Sequence, residues 1–329
     1  MHRYQVYGLG AALVDTEIEV NDAFLAQAQI EKGLMTLVDE TRQSELLELM
    51  KDHLVGSKRS SGGSACNSII AASYFGAKTF YSCKVADDDN GHFFQEDTKA
   101  AGVSTPNIEL PSGTTGKCLV MITPDAERTM NTFLGISETL SENELDADAI
   151  ANSEYVYLEG YLVTSPSGKA AAIKAREIAE QHNVKTAISL SDPGMVQFFK
   201  TGLKEMIGQQ VDLIFCNKDE ALGWTDTTNI NDAAEALKTS ARTFAITLGA
   251  EGALVFDGTN LSKVPGSDTK AIDTNGAGDM FAGAFLYGIT NGHDFKTAAT
   301  LANYAAAKVV SQYGPRLKPE QHETLKTII

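Results

Sequence analysis

With 329 residues, 43% of them hydrophobic, the chain can bury one large core, or one large and one small. A formal charge of −16 excludes nucleic acid and anionic membranes as the main partner, since both are held through Lys and Arg, but it leaves room for a local anion site. Four scattered cysteines, Cys66, Cys83, Cys118 and Cys216, have no CxxC spacing and no His-rich neighbourhood, which predicts reduced, buried thiols in a cytoplasmic protein.

Residues 5–10 read as a strand entering a Gly8-Leu9-Gly10 turn, and the apolar stretch 6–14, broken by glycine, ending at Asp15 and lacking a cleavage site, suits a strand better than a signal peptide. A dinucleotide fingerprint would need Gly or Ala at position 13 and then a helix; Leu13 and the alternation over 16–20 argue against it. Asp15 is expected exposed at the end of a central strand, as an acceptor for substrate hydroxyls. Short β-like runs at 17–21 and 35–38, around a helix at 22–29, suggest a small sheet outside the main core, and 40–54 reads as an acidic amphipathic helix. Ser61-Gly62-Gly63-Ser64-Ala65-Cys66-Asn67 opens a helix running to residue 74. It is either a plain cap and turn, or a place where Gly62 and Gly63 bring backbone close to a substrate and Asn67 offers its amide to hydroxyls.

A strand at 79–85 precedes the acidic turn 87–91, where Asp88 or Asp89 is expected to cap a helix over 92–101 rather than bind metal. Runs 114–122 and 128–134 alternate as a hairpin around 124–127 that would complete the small sheet, with Arg128 near its turn either solvated or supplying mobile charge over phosphates. Beyond residue 155, strands at 155–158, 186–189, 213–216 and 243–248 alternate with helices, the first at 166–182, which predicts an α/β, doubly wound, mostly parallel sheet. Asn217 and Glu220 lie three apart at a helix start, either as a capping pair or as an anchor for Mg²⁺ and its waters. Thr247 to Gly252 is a glycine turn after a strand, and a final helix over 295–312 carries Asn303 among alanines before Gly314 and Pro315 close it.

Between those elements stands Asp273-Thr274-Asn275-Gly276-Ala277-Gly278-Asp279, followed by a helix of small and apolar residues. Gly276 and Gly278 allow a tight turn that exposes backbone N–H groups at the positive end of the helix dipole, a natural seat for an anion. Asp279 beside such a seat suits a general base, although an aspartate in a first helical turn is equally suited to capping.

The DTNGAGD string and its helix resemble the signature of the ribokinase-like (PfkB) carbohydrate and nucleoside kinases. Together with GGSACNS and the Gly-x-Gly, Asp15 and small-sheet layout of the N-terminal part, they are most similar to the adenosine kinase branch, over essentially the whole chain. The resemblance implies one ribokinase-like domain over 1–329 with a small β-sheet lid formed within about 14–60 and 113–135. It implies Asp15, Gly62, Gly63 and Asn67 at ribose hydroxyls, Arg128 on the lid, Gly276, Ala277 and Gly278 as an anion hole, and Asp279 as the base. ATP would lie by Asn217, Thr247, Gly249 and Asn303, with Mg²⁺ by Glu220 through water and K⁺ in a monovalent-cation loop near Asp273. The implied activity is transfer of the γ-phosphate of ATP to the 5′-hydroxyl of adenosine by a monomer or homodimer, with no nucleic-acid or membrane partner. Leu13, Phe133, Leu134, Tyr161 and Phe198 are candidates to enclose a flat base. Ala11 and Ser189 depart from the branch, where asparagine is common, so a sugar kinase acting on ribose or fructose is the alternative. A non-catalytic nucleotide-binding regulator is a third reading, against which the retained Asp279 argues.

Overall fold

In the computed structural model, which describes residues 3–51, 59–125 and 127–329, Gly8 and Leu9 of the expected turn end a strand, and residues 10–12 carry the chain from one β-sheet into another. The strands, in chain order, are β1 (Tyr4–Leu9), β2 (Leu13–Glu19), β3 (Met35–Leu37), β4 (Arg59–Gly62), β5 (Thr79–Ser82), β6 (Thr115–Ile122) and β7 (Arg128–Gly135). They continue as β8 (Ser153–Glu159), β9 (Lys185–Ser189), β10 (Val211–Asn217), β11 (Ala241–Thr247), β12 (Ala253–Phe256) and β13 (Leu261–Val264).

The larger sheet has the order β13-β12-β11-β10-β9-β8-β1-β5. It is parallel from β11 to β5, and β12 and β13 add an antiparallel edge. The β10 core run Leu213-Ile214-Phe215-Cys216 is buried residue by residue, because helices cover both faces: Ile214 and Cys216 join one hydrophobic cluster, Leu213 and Phe215 the other. The expected doubly wound, mostly parallel sheet is therefore present, with the antiparallel edge as an addition.

The smaller sheet, ordered β3-β7-β6-β2-β4, comes from two separate stretches of chain. β6 alternates strictly: Leu119 and Met121 pack with Ile18, Val20, Leu25 and Leu46, while Cys118, Val120 and Ile122 share the other face with Leu13. Asp15, two residues after Leu13 in β2, lies on that same face. It is thus buried, 5% exposed, in the smaller sheet, not exposed at the end of a central strand as its sequence position suggested. The chain leaves the main sheet at Gly10, before Asp15 is reached.

The helices depart from expectation at several ends and in one addition. The acidic helix spans Glu40–Leu49, and the expected residues 52–54 lie outside the described residues, as does Ala126 of the hairpin turn. After the helix Phe295–Val310 a further helix, Pro319–Lys326, was not anticipated. Its signal was proline in the first turn; what holds it is His322, fully buried with its ring 4.6 Å from Phe75.

Asp88, rather than Asp89, caps the helix Asp89–Ala100, accepting from the Gly91 amide at 2.7 Å. The same carboxylate accepts from the Thr115 amide at 2.9 Å and the Thr115 hydroxyl at 2.6 Å, tying the first residue of β6 to the main body. Asp88→Ala is expected to lose roughly 2 kcal/mol or more in urea unfolding, a cap and two further hydrogen bonds together, and the exposed Asp89→Ala less than about 0.5.

Candidate active site

The helix Ala277–Thr290 begins at Gly276, whose φ of 74° is left-handed and where a side chain would meet Pro315 at 2.6 Å. The first-turn N–H groups have no intrahelical acceptor, and nothing lies within 4 Å of where Gly278 would carry a Cβ, so the turn opens onto free space. Two cavities meet at this helix start. Asp279 faces one, with Ala11, Leu13, Asp15, Gly63, Asn67 and Arg128; Ala277 and Gly278 face the other, with Thr247, Gly249, Thr274 and Asn303.

Asp279 is half-buried and held from two sides, accepting from the Ser64 hydroxyl at 2.6 Å and from Asn67 Nδ2 at 3.0 Å. Burial raises its pKa above the usual aspartate value, against the lowering effect of those two hydrogen bonds and of Arg128 and Arg316. Arg128, first residue of β7, reaches across to Asn275 Oδ1 at 3.4 Å. The buried Nδ2 of Asn275 meets no acceptor among the described residues, leaving a donor beside the helix start, where an anion would satisfy it.

Gly62 makes room for Asp15: a Cβ there would sit 2.1 Å from its carboxylate. Burial pushes Asp15 up to about 8, Arg316 opposing, while Glu17 and Asp279 add to the rise. Glu159, at the end of β8, lines the same cavity, accepts from the Ala11 amide at 2.9 Å, and is likewise pushed up to about 8, mainly by burial. Leu13, Leu134 and Tyr161 line this cavity as expected, joined by Met35, Leu37 and Met130. Phe198 does not: it is 72% exposed, on the outer side of a crossover helix, and Phe133 is not in the lining.

In the second cavity Asn303 donates to the carbonyls of Val264 and Pro265 at 3.2 and 3.0 Å. Asn217 and Glu220 form a reciprocal capping box: Glu220 accepts from the Asn217 amide and side chain at 3.0 and 2.6 Å, and burial raises it to about 7. Both carboxylate oxygens are thereby engaged, and neither residue lines the two cavities. Asp273 is similarly engaged, accepting from the Asn275 amide at 2.8 Å and the Gly314 amide at 2.9 Å. Among the described residues no three His, Cys, Asp or Glu side chains cluster as a metal cage. No helix there is long and apolar enough to cross a membrane, and all four cysteines are free.

The family profile of pfkB family carbohydrate kinases matches residues 35–322. The chain belongs to this family. The solved adenosine kinase of Sinorhizobium meliloti is 34% identical, with a TM-score of 0.93 over 99% of this chain and 100% of that one. A probable sugar kinase from Rhizobium etli CFN 42 is 32% identical, also with a TM-score of 0.93, over the whole of both chains. The adenosine kinase of Schizophyllum commune is 25% identical over 97% of this chain and 98% of its own. The fold is thus the ribokinase-like α/β fold, and the protein is a phosphotransferase with an alcohol acceptor, a nucleoside or sugar kinase.

Sequence reading missed Ser64, Glu159, Asn275 and Arg316 in this kinase. Ser64 and Asn275 stood inside the two motifs and could have been found there; Glu159 and Arg316 carry no local signal. Glu159 has a folded pKa above its unfolded value, so folding takes up a proton and stability falls as pH rises from about 4.5 to about 8. Asp15 acts with the same sign. Glu159→Gln should therefore show a smaller loss of Tm between pH 5.5 and 8 than the parent protein, in thermal melts without substrates.

Proposed function

We propose that this kinase transfers the γ-phosphate of ATP to the primary 5′-hydroxyl of a nucleoside, adenosine, with Asp279 as the general base. The observation that carries the reading is the common wall: one helix start presents Asp279 to one cavity and the Ala277 and Gly278 backbone to the other. Acceptor in the first and nucleotide in the second would meet there. Ser64 and Asn67 fix the carboxylate, which takes the proton as the hydroxyl attacks. N–H groups of Gly276 to Gly278, with Asn275 Nδ2, receive charge on the transferred group, and Arg128 adds a cation from the smaller sheet. That sheet, built within about 14–60 and 113–135 of a single 1–329 domain, acts as a lid that excludes water.

Asp15, with the Gly62–Gly63 backbone and Asn67, reads the ribose hydroxyls, and the second cavity takes ATP between Thr247, Gly249 and Asn303. When bound, Mg²⁺ would neutralise phosphate charge. Glu220 would act on it through water, with the lone pairs that Asn217 leaves open. The Asp273 oxygens each accept one amide, and a K⁺ in the loop near Asp273 would use their remaining lone pairs.

Leu13, Leu134, Met35, Leu37 and Met130 support a nucleoside, since a bare sugar would leave this apolar wall unfilled. Glu159 supports the second reading, a sugar kinase, by adding a third carboxyl that could accept from hydroxyls. Adenosine is expected to exceed ribose in kcat/KM by roughly 10-fold or more, the worth of burying a purine, and 2′-deoxyadenosine to be poorer than adenosine. Rates for adenosine, inosine, guanosine, ribose and fructose in one assay decide it: a sugar that beats every nucleoside ends the adenosine reading. Asp279→Asn should lower kcat by roughly 10²-fold or more with ATP affinity little changed; a folded variant of near-normal kcat would remove the base assignment.

A further inference from the structure

We propose that Arg316 is a positioning residue for Asp279, acting through Asn67 from outside the cavity. The inference rests on the reading of Asp279 as the base. Arg316 is half-buried and does not line the acceptor cavity. Its guanidinium spans three partners: Nε donates to Asn67 Oδ1 at 3.2 Å, Nη1 to Asp97 Oδ2 at 2.8 Å, and Nη2 to the Ser61 hydroxyl at 2.7 Å. Ser61 in turn donates to Asp97, closing the network.

Donor chemistry makes this network directional. Arginine has no acceptor, so Asn67 must turn its carbonyl oxygen to Arg316 and its NH₂ to Asp279, which an ionised carboxylate can only accept. A free asparagine could present either end, and the wrong one would set carbonyl oxygen against carboxylate. The same short segment also braces the anion turn: the Gly314 amide donates to Asp273 at 2.9 Å, and Pro315 packs where a side chain on Gly276 would stand. One stretch of three residues therefore fixes both the base and the backbone seat beside it.

Arg316 also carries charge. The groups facing Asp279 are Arg128 from β7 and Arg316, against Asp15 from β2, Glu159 and Tyr157 from β8, and Tyr161 just after it. Removing one of two cations from this set makes ionisation of the base harder, so the acid limb of the rate profile moves to higher pH. A residue that merely held the fold would leave that limb in place.

The test uses the full-length protein with ATP and adenosine, or ribose should the panel favour it. Arg316→Met, checked for folding by circular dichroism, should lower kcat roughly 10-fold or more, leave the ATP KM within about twofold, and raise the acid limb of kcat/KM. Arg316→Lys should restore the limb but not kcat, because an ammonium cannot hold Asn67, Asp97 and Ser61 in one plane. A folded Arg316→Met with kcat within about twofold and an unmoved limb overturns the proposal. If that variant does not fold, Arg316→Lys decides: a kcat within about twofold of the parent, or a loss that persists undiminished in the Asp279→Asn background, overturns it, and a loss seen only where Asp279 is intact supports it. Asp279→Asn run alongside separates the two claims. If it turns over normally, the base reading itself has failed; if it is inactive while Arg316→Met is normal, only the present inference falls. In the Asp279→Asn background, Arg316→Met should add little, whereas a general structural defect would still multiply.

Discussion

Three carboxyl groups, Asp15, Glu159 and Asp279, line one cavity, the first two of them buried; Arg316 acts on Asp15 and, together with Arg128, on Asp279. Burying like charges together is unfavourable unless they are paired or protonated, and two of the three are pushed to about 8. Asp279 is the one given a hydroxyl donor, an amide donor and both arginines within electrostatic reach. The arrangement sorts chemically similar side chains into different surroundings: Glu159 accepts from the Ala11 amide, while Asp279 is held by Ser64 and Asn67 beside both arginines.

That sorting needs two sheets in register. β1 and β8 belong to the main sheet and deliver Glu159, while β2 and β7 belong to the smaller one and deliver Asp15 and Arg128. The junction at residues 10–12 is correspondingly well tied. The Ala11 carbonyl accepts from the Tyr81 hydroxyl at 2.8 Å, the Ala11 amide donates to Glu159, and Ser137 bridges Ala12 and Lys84. Neighbouring Gly10 admits no side chain, since a Cβ would lie 2.0 Å from Glu159. The smaller sheet is thus anchored where it meets the cavity.

The main sheet was legible because its strands are uninterrupted apolar runs spaced by amphipathic helices, a pattern that local sequence states directly. The DTNGAGD turn was legible for a related reason: glycines at fixed offsets before a small-residue helix have few other uses. Asp15 was misplaced because nothing in its neighbourhood says that the chain changes sheets at Gly10; only the pairing of β2 with β6, some hundred residues on, decides it. Phe198 was misjudged since an aromatic in an amphipathic helix reads the same whether it faces a cavity or solvent. Asn217 and Glu220 were seen as a pair, and their spacing fits a capping box as well as an ion site, a degeneracy that only the hydrogen bonds break. Arg316 follows a Gly-Pro turn and looks like any solvated arginine until Ser61, Asn67 and Asp97 are folded against it.

The cavity wall draws on residues 15, 67, 128, 159 and 279, with the brace at 314–316, so its parts are spread over nearly the whole chain. Pairings between strands this far apart require long loops to close before they are rewarded, which places them late in folding. As the chain leaves the ribosome, β1, β2 and β4 emerge well before β6 and β8, and the helix at Ala277 and the segment behind it come last. Until that segment docks, Asp15 lacks the Arg316 cation that opposes the rise in its pKa. Assembly of the cavity wall therefore waits on its latest-synthesised part: secondary structure can form early, while the wall closes only when the segment 314–316 docks.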